Sequence, residues 1–270
     1  MLKKLIVLIA AIALPSAALA AEKFTFDEKT LILRGEVTGE SVAALQLAIL
    51  SSPEKELTLV ISSPGGSVLA GAQLTQTIRD SGKKIKCVAT FAASMAFAIL
   101  QSCQERYVLD SSIIMQHVMA YGLEGQEPNN YSLASALHRL NKRMDQEQAD
   151  RIGISYKEFR EKVRDDWWLL GDEAVDANAA DGLATATCTQ ALTKKKVKAK
   201  VQMMFWMVDV EWSGCPLIQS PVGVKSTAND EFAPDTEERR EEYRKFMEKL
   251  DVGAYLKQKY ILSRKDVSKK

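Results

Sequence analysis

The period of the apolar positions changes along the chain, and each change marks an element. Thr30–Val37 and Glu56–Ser62 are short β-branched runs that predict strands. Between them Thr38 caps a helix to about Leu50, with Val42, Leu45 and Ile49 on one face and Pro53 beyond its end. Ser63-Pro64-Gly65-Gly66 stops the second strand, and Ser67–Asp80 predicts the next helix, ended near Gly82. Ile85 and Val88 lead into a buried strand, Ala92-Ala93 turn a sharp corner, and Met95–Leu100 predicts an apolar helix. Arg106–Leu109 and Ile113–Gln116 predict two further short strands. Strand–helix–strand alternation with short links implies parallel, right-handed crossovers and an α/β fold.

The second half is patterned differently. Gly122–Asn130 is a polar excursion, and from Ser132 to about Arg151 the residues Leu133, Leu137, Leu140 and Met144 recur at helical spacing. That narrow stripe suits packing on its own domain or on another subunit. Ser155 with Glu158 forms a capping box opening a helix to about Val163. Asp165-Asp166-Trp167-Trp168-Leu169-Leu170 precedes a helix over Asp172–Ala180, stopped at Asp181-Gly182. Past Cys188, Lys194–Val201 alternates with period two and runs into the apolar Met203–Val210, predicting one strand solvated at its basic end. Ser213–Pro234 reads as loop, and Asp235 caps a charged helix with Tyr243, Phe246, Met247 and Leu250 on one face.

Composition and short motifs add to the picture. The 270 residues are 46% hydrophobic and 26% charged, enough for a sizeable core. Lys3-Lys4, the apolar run Leu5–Leu14 and Ala18-Leu19-Ala20 have the layout of a signal peptide cleaved after Ala20, so a periplasmic or secreted product is expected. The net charge is +1, which gives no electrostatic case for a nucleic-acid partner. Export places Cys87, Cys103, Cys188 and Cys215 where disulfides persist. Cys87 near a strand start and Cys103 near the end of the helix doubling back beside it are expected to pair, leaving Cys188 with Cys215. His117 and His138 are the only histidines, which excludes a His-rich metal site. No Gly-x-x-x-x-Gly-Lys-Ser/Thr loop occurs, so ATP is not bound by that route.

Candidate chemistry gathers at strand ends. Ser94 stands where a strand turns into a helix, with unpaired N–H groups and the helix dipole favouring negative charge beside it. Gly65-Gly66 follows the preceding strand, and His117 follows the Ile113–Gln116 strand. In parallel α/β units such ends share one edge. Nucleophile, general base and backbone oxyanion donors are the parts of an acyl-transfer site. Ser94 would serve equally as a plain N-cap and His117 as a core histidine; His138, within the long helix, reads as structural.

Ser63-Pro64-Gly65-Gly66, Ala92-Ala93-Ser94-Met95, Ile114-Met115-Gln116-His117 and the segment Arg164–Leu183 together resemble the proteolytic subunit of Clp protease, within the crotonase-like superfamily. The resemblance spans about Leu31 to Ala184. It implies a fold of repeated β-β-α units with a protruding handle helix, here carrying a small α+β C-terminal extension. It also implies a Ser94–His117–Asp166 triad, oxyanion donors at the Gly66 and Met95 N–H groups, and a substrate strand beside Gly65, Ser67 and Val68. The stripe of the long helix matches the handle, implying a ring-like homo-oligomer. Three departures line the expected pocket: Gln116 precedes the histidine and Val118 follows it, Thr90-Phe91 replace Gly-Gln, and Phe97 is bulkier than usual.

The expected organisation is a leader over residues 1–20, a peptidase domain over 21–189, and an extension over 190–270 with basic strand, loop and charged helix. The expected activity is that of an exported, ATP-independent serine endopeptidase acting on peptides or unfolded segments, without cofactor or ATPase partner. Alternatives are an inactive Clp protease-like scaffold, a membrane-associated enzyme like signal peptide peptidase with a Ser–Lys dyad, and an acyl-CoA enzyme of crotonase type.

Overall fold

Thr38 and Ser67 each turn a strand end into a helix start, and so set the first two crossovers of the sheet. The Thr38 side chain accepts the Ser41 N–H and begins α1 (Gly39–Ser51); the Ser67 side chain accepts the Ala70 N–H and begins α2 (Val68–Asp80). The strands they connect are β2 (Leu31–Arg34), β3 (Glu56–Ser63) and β4 (Lys84–Ala93), which leads through Ser94 into α3 (Met95–Ser102). The computed structural model describes residues 21–120, 127–203 and 206–226. The expected leader and the charged helix after Asp235 lie outside the described residues.

With β1 (Glu22–Phe26), β5 (Glu105–Gln116) and β7 (Gly182–Cys188), these strands form a parallel sheet in the order β1-β7-β5-β4-β3-β2. A short strand, β6 (Trp167–Leu170), runs antiparallel against the last turn of β5. The expected α/β architecture is present. Arg106–Leu109 and Ile113–Gln116, predicted as two strands, are one. The register between β4 and β5 jumps from Ala89↔Val108 to Phe91↔Ile113, and Ser112 holds the jump by accepting the Leu109 N–H and donating to Ala89 O, both at 2.7 Å. Beyond this kink β5 changes neighbours, from β7 to β6.

The strands β1, β6 and β7 were not predicted, because each is short. After β5 come α4 (Glu127–Ile152), α5 (Tyr156–Val163) and α6 (Gly171–Asp176). α4 begins five residues before the predicted start, and α6 is shorter than the predicted helix, ending at Asp176. The 26 residues of α4 span about 39 Å. Its last turns are buried at Asp145, Gln148, Ala149 and Ile152, whereas Tyr131 and Leu133 near its start are largely exposed.

Apolar side chains fill both faces of the sheet. The larger core lies under the helices and holds Leu59, Ile61, Ile85, Phe97, Ile99 and Phe159. The opposite face holds Phe26, Val60 and Val88, covered by Leu192 and Leu217. Leu192 belongs to α7 (Gln190–Lys194), which opens the C-terminal segment. The single strand predicted over 194–210 is a hairpin, β8 (Lys196–Met203) and β9 (Trp206–Ser213), with β10 (Gly223–Ser226) added in the segment predicted as loop. A run of that length exceeds the reach of ordinary strands, which favours folding back. The hairpin root is fastened to the domain by the Cys188–Cys215 disulfide and by Arg34, which donates to Ser213 O at 2.9 Å and Cys215 O at 3.0 Å. Cys87 and Cys103 form the other bridge, so both pairs are as expected. Bridges closing loops of this size are typically worth about 2–4 kcal/mol each.

Candidate active site

Ser94 sits between a strand that ends in two alanines and a helix that begins at once. Its φ of 57° and ψ of −122° lie in a region that side-chain-bearing residues rarely enter. The neighbours enforce this: the Ser94 N–H donates to Met115 O at 2.8 Å, and its carbonyl accepts from Phe97 at 3.0 Å. The hydroxyl makes no capping bond to its own helix, so the plain N-cap reading is not realised. It meets His117 Nε2 at 2.7 Å instead.

His117 follows directly on β5, one step beyond the paired residues Gln116↔Trp167. That pairing places the residue before Trp167, Asp166, across from the histidine. Trp167 is held by Phe97 and Phe159 at ring distances of 6.2 and 6.4 Å, with the Lys162 ammonium 5.2 Å above it. Asp166 itself has φ 60°, and its Oδ1 lies 3.9 Å from His117 Nδ1. This is ion-pair range, beyond a direct hydrogen bond between those two atoms. Asp165 turns away to pair with Arg164 at the surface.

The glycine turn closes on the serine from the other side. Gly65 has φ 93°, and a Cβ there would stand 2.6 Å from Ala93 O and 2.7 Å from Ser94 Cβ, so only glycine fits. Val37 bridges the turn by donating to Gly65 O and accepting from the Ser67 N–H, both at 2.8 Å. Gly66 lies between those two bonds, and its N–H stands outside the bridge. The Met95 N–H is the first of α3 and has no intrahelical partner. Gly65 is thus the turn residue packed against Ser94 and Met95, with Gly66, Ser67 and Val68 continuing the turn.

Sequence reasoning missed three supports. The fully buried Ser63 hydroxyl accepts the Gly65 N–H at 3.2 Å. Gly71 leaves the space that the Met95 side chain fills. Gln116, one of the departures noted above, accepts the His117 N–H at 3.0 Å. No signal marks these positions beyond a small or polar residue inside an apolar pattern. Among the described residues no cluster of His, Cys, Asp and Glu has the layout of a metal site, and no helix is long and apolar enough to cross a membrane.

A serine at a strained strand–helix corner, bonded to a histidine and facing a glycine turn, is the arrangement of a serine hydrolase of the α/β class. Comparison with known proteins narrows this. The Clp protease family model matches residues 18–186, and the chain belongs to that family, whose members are serine peptidases that form homo-oligomeric rings. It is 30% identical over 168 residues to the ATP-dependent Clp protease proteolytic subunit 3 of Rhodococcus jostii (strain RHA1), covering 60% of this chain and 83% of that protein.

Proposed function

We propose that the chain is an exported serine endopeptidase that cleaves peptides or unfolded protein segments without nucleotide. The observation that carries the reading is the 2.7 Å contact between Ser94 Oγ and His117 Nε2, with Ser94 held in its strained conformation at the start of α3. An extended substrate pairs beside Gly65, Ser67 and Val68, which brings its scissile carbonyl over Ser94. His117 Nε2 takes the Ser94 proton as Oγ attacks the carbonyl carbon. The oxyanion is held by the Gly66 and Met95 N–H groups. Collapse expels the amine, which receives its proton from His117, and water then releases the acyl group by the reverse sequence. Asp166 stabilises the imidazolium.

The two disulfides support an oxidising compartment. Work without an ATPase partner then follows from that compartment and limits the substrates to chains already extended. The test uses mature protein, a fluorophosphonate probe and casein or a diverse peptide library in nucleotide-free buffer. Wild type is expected to label at Ser94 and to cleave, and Ser94→Ala to do neither. A folded wild type as inert as Ser94→Ala would overturn the peptidase reading in favour of a binding scaffold.

A further inference from the structure

Two glutamines lie almost wholly buried between the site and the long helix, a costly place for amides unless every polar atom is bonded. Gln116 on β5 is 6% exposed and Gln148 on α4 is 4% exposed. Their bonds form one directed chain. The His117 N–H donates to Gln116 Oε1 at 3.0 Å, Gln116 Nε2 donates to Gln148 Oε1 at 2.5 Å, and Gln148 Nε2 donates to Met144 O at 3.0 Å. The orientation of both amides is dictated from its ends. The His117 N–H can only donate, so Gln116 must turn its oxygen toward it. That leaves the Gln116 NH₂ for the Gln148 oxygen and the Gln148 NH₂ for a helix carbonyl.

We propose that Gln148 is a positioning residue: through Gln116 it fixes the backbone of His117, and so ties the aim of the active-site histidine to the seating of α4. The inference rests on the peptidase reading for its kinetic consequence, and on geometry alone for the link itself. A pair serving only to fill space would be apolar here, as are its neighbours Met115, Ala149 and Ile152. Gln148 also lines a crevice between α2, α3 and α4, beside Thr75, Gln101 and Ser102. A shift carried along the amide chain would reach a histidine whose contact to Ser94 tolerates little error.

The experiment compares wild type, Gln148→Met and the double variant Gln116→Met/Gln148→Met. The single variant leaves the Gln116 NH₂ buried and unpaired, so both melting temperature and kcat fall. In the double variant both partners of the amide–amide bond become apolar at similar shape, which recovers part of the lost stability. The His117 N–H now loses the Gln116 acceptor that Gln148→Met had left in place, so kcat is expected to be about 10²-fold down, the usual cost of an ångström of misplacement, with KM within about twofold. A double variant that regains kcat along with melting temperature would overturn the proposal and leave a packing role. An NMR readout is independent of turnover, because His117 and His138 are the only histidines and His138→Gln assigns both. If wild type proves inert yet the His117 imidazole resonance moves in Gln148→Met while that of His138 does not, the link stands and the peptidase reading falls. An active wild type with an unmoved His117 resonance in Gln148→Met sinks the link alone.

Discussion

Asp166 and Ser94 are both held at positive φ, 60° and 57°, on either side of His117. Conformations of this kind cost of order 1–3 kcal/mol each and persist where the surroundings over-determine them. For Asp166 that constraint is the Trp167 anchor, which leaves its neighbour Asp165 in solvent. Asp166→Asn is therefore expected to lower kcat by about 10⁴ with the fold intact, through the wrong histidine tautomer, and Asp165→Asn to change little. Steady-state kinetics on the two variants checks this; equal effects would deny Asp166 its role. Ser94 and His117 stood out because each follows a predicted strand, whereas Asp166 came only from the resemblance of Arg164–Leu183. Gln148 did not stand out, since a glutamine in a charged helix resembles any residue of a solvated face, and only the tertiary fold buries it.

Among the elements, the junction of β5, β7 and α4 depends on one ion network. Arg106 on β5 is 1% exposed and binds Asp181, just ahead of β7, through its side chain and its backbone N–H, while Arg151 of α4 meets the same carboxylate at 3.1 Å. Burial alone would raise the Asp181 carboxyl, but its hydrogen bonds and charge attraction with Arg106, then Arg151, outweigh this and hold it below its ordinary value of 3.8. A depressed carboxylate contributes stability above its unfolded value and loses it as pH falls through the folded one. Asp181→Asn is thus expected to cost about 3 kcal/mol at neutral pH, the low end for breaking a buried pair because a third of Asp181 remains exposed. Urea midpoints should show the gap to wild type closing below about pH 4; a gap indifferent to pH would exclude the linkage. The central strands and their helices were legible because each carries its own caps and periodicity. β1, β6 and β7 were not, because as short strands they are defined by partners distant in sequence, and β8 and β9 merged because the alternating Lys194–Val201 passes into the apolar Met203–Val210 with no Gly, Pro or Asn between them.

For the whole molecule, the outer half of α4 is one of the apolar faces left uncovered among the described residues. Leu133 is 47% exposed, and Leu137 and Leu140 are half-buried along a helix that leaves the domain behind. Members of this family assemble into rings, and an apolar stripe of this kind is the surface such assembly buries. Light scattering of the mature protein at micromolar concentration is expected to report an oligomer, and Leu137→Glu a smaller species; a stable wild-type monomer would refute the assignment. The sheet itself carries a consequence for how the chain is made. β1 pairs in parallel with β7, and Thr25 meets Thr187, 162 positions away in sequence. The strand that leaves the synthesis machinery first therefore waits for nearly the last, and closing so long a loop is among the slow steps of folding. Until residue 188 has emerged, the apolar Phe24 and Phe26 have no seat and the sheet stays open at that edge. The topology thus delays closure of the sheet at its β1 edge until almost the whole domain is available.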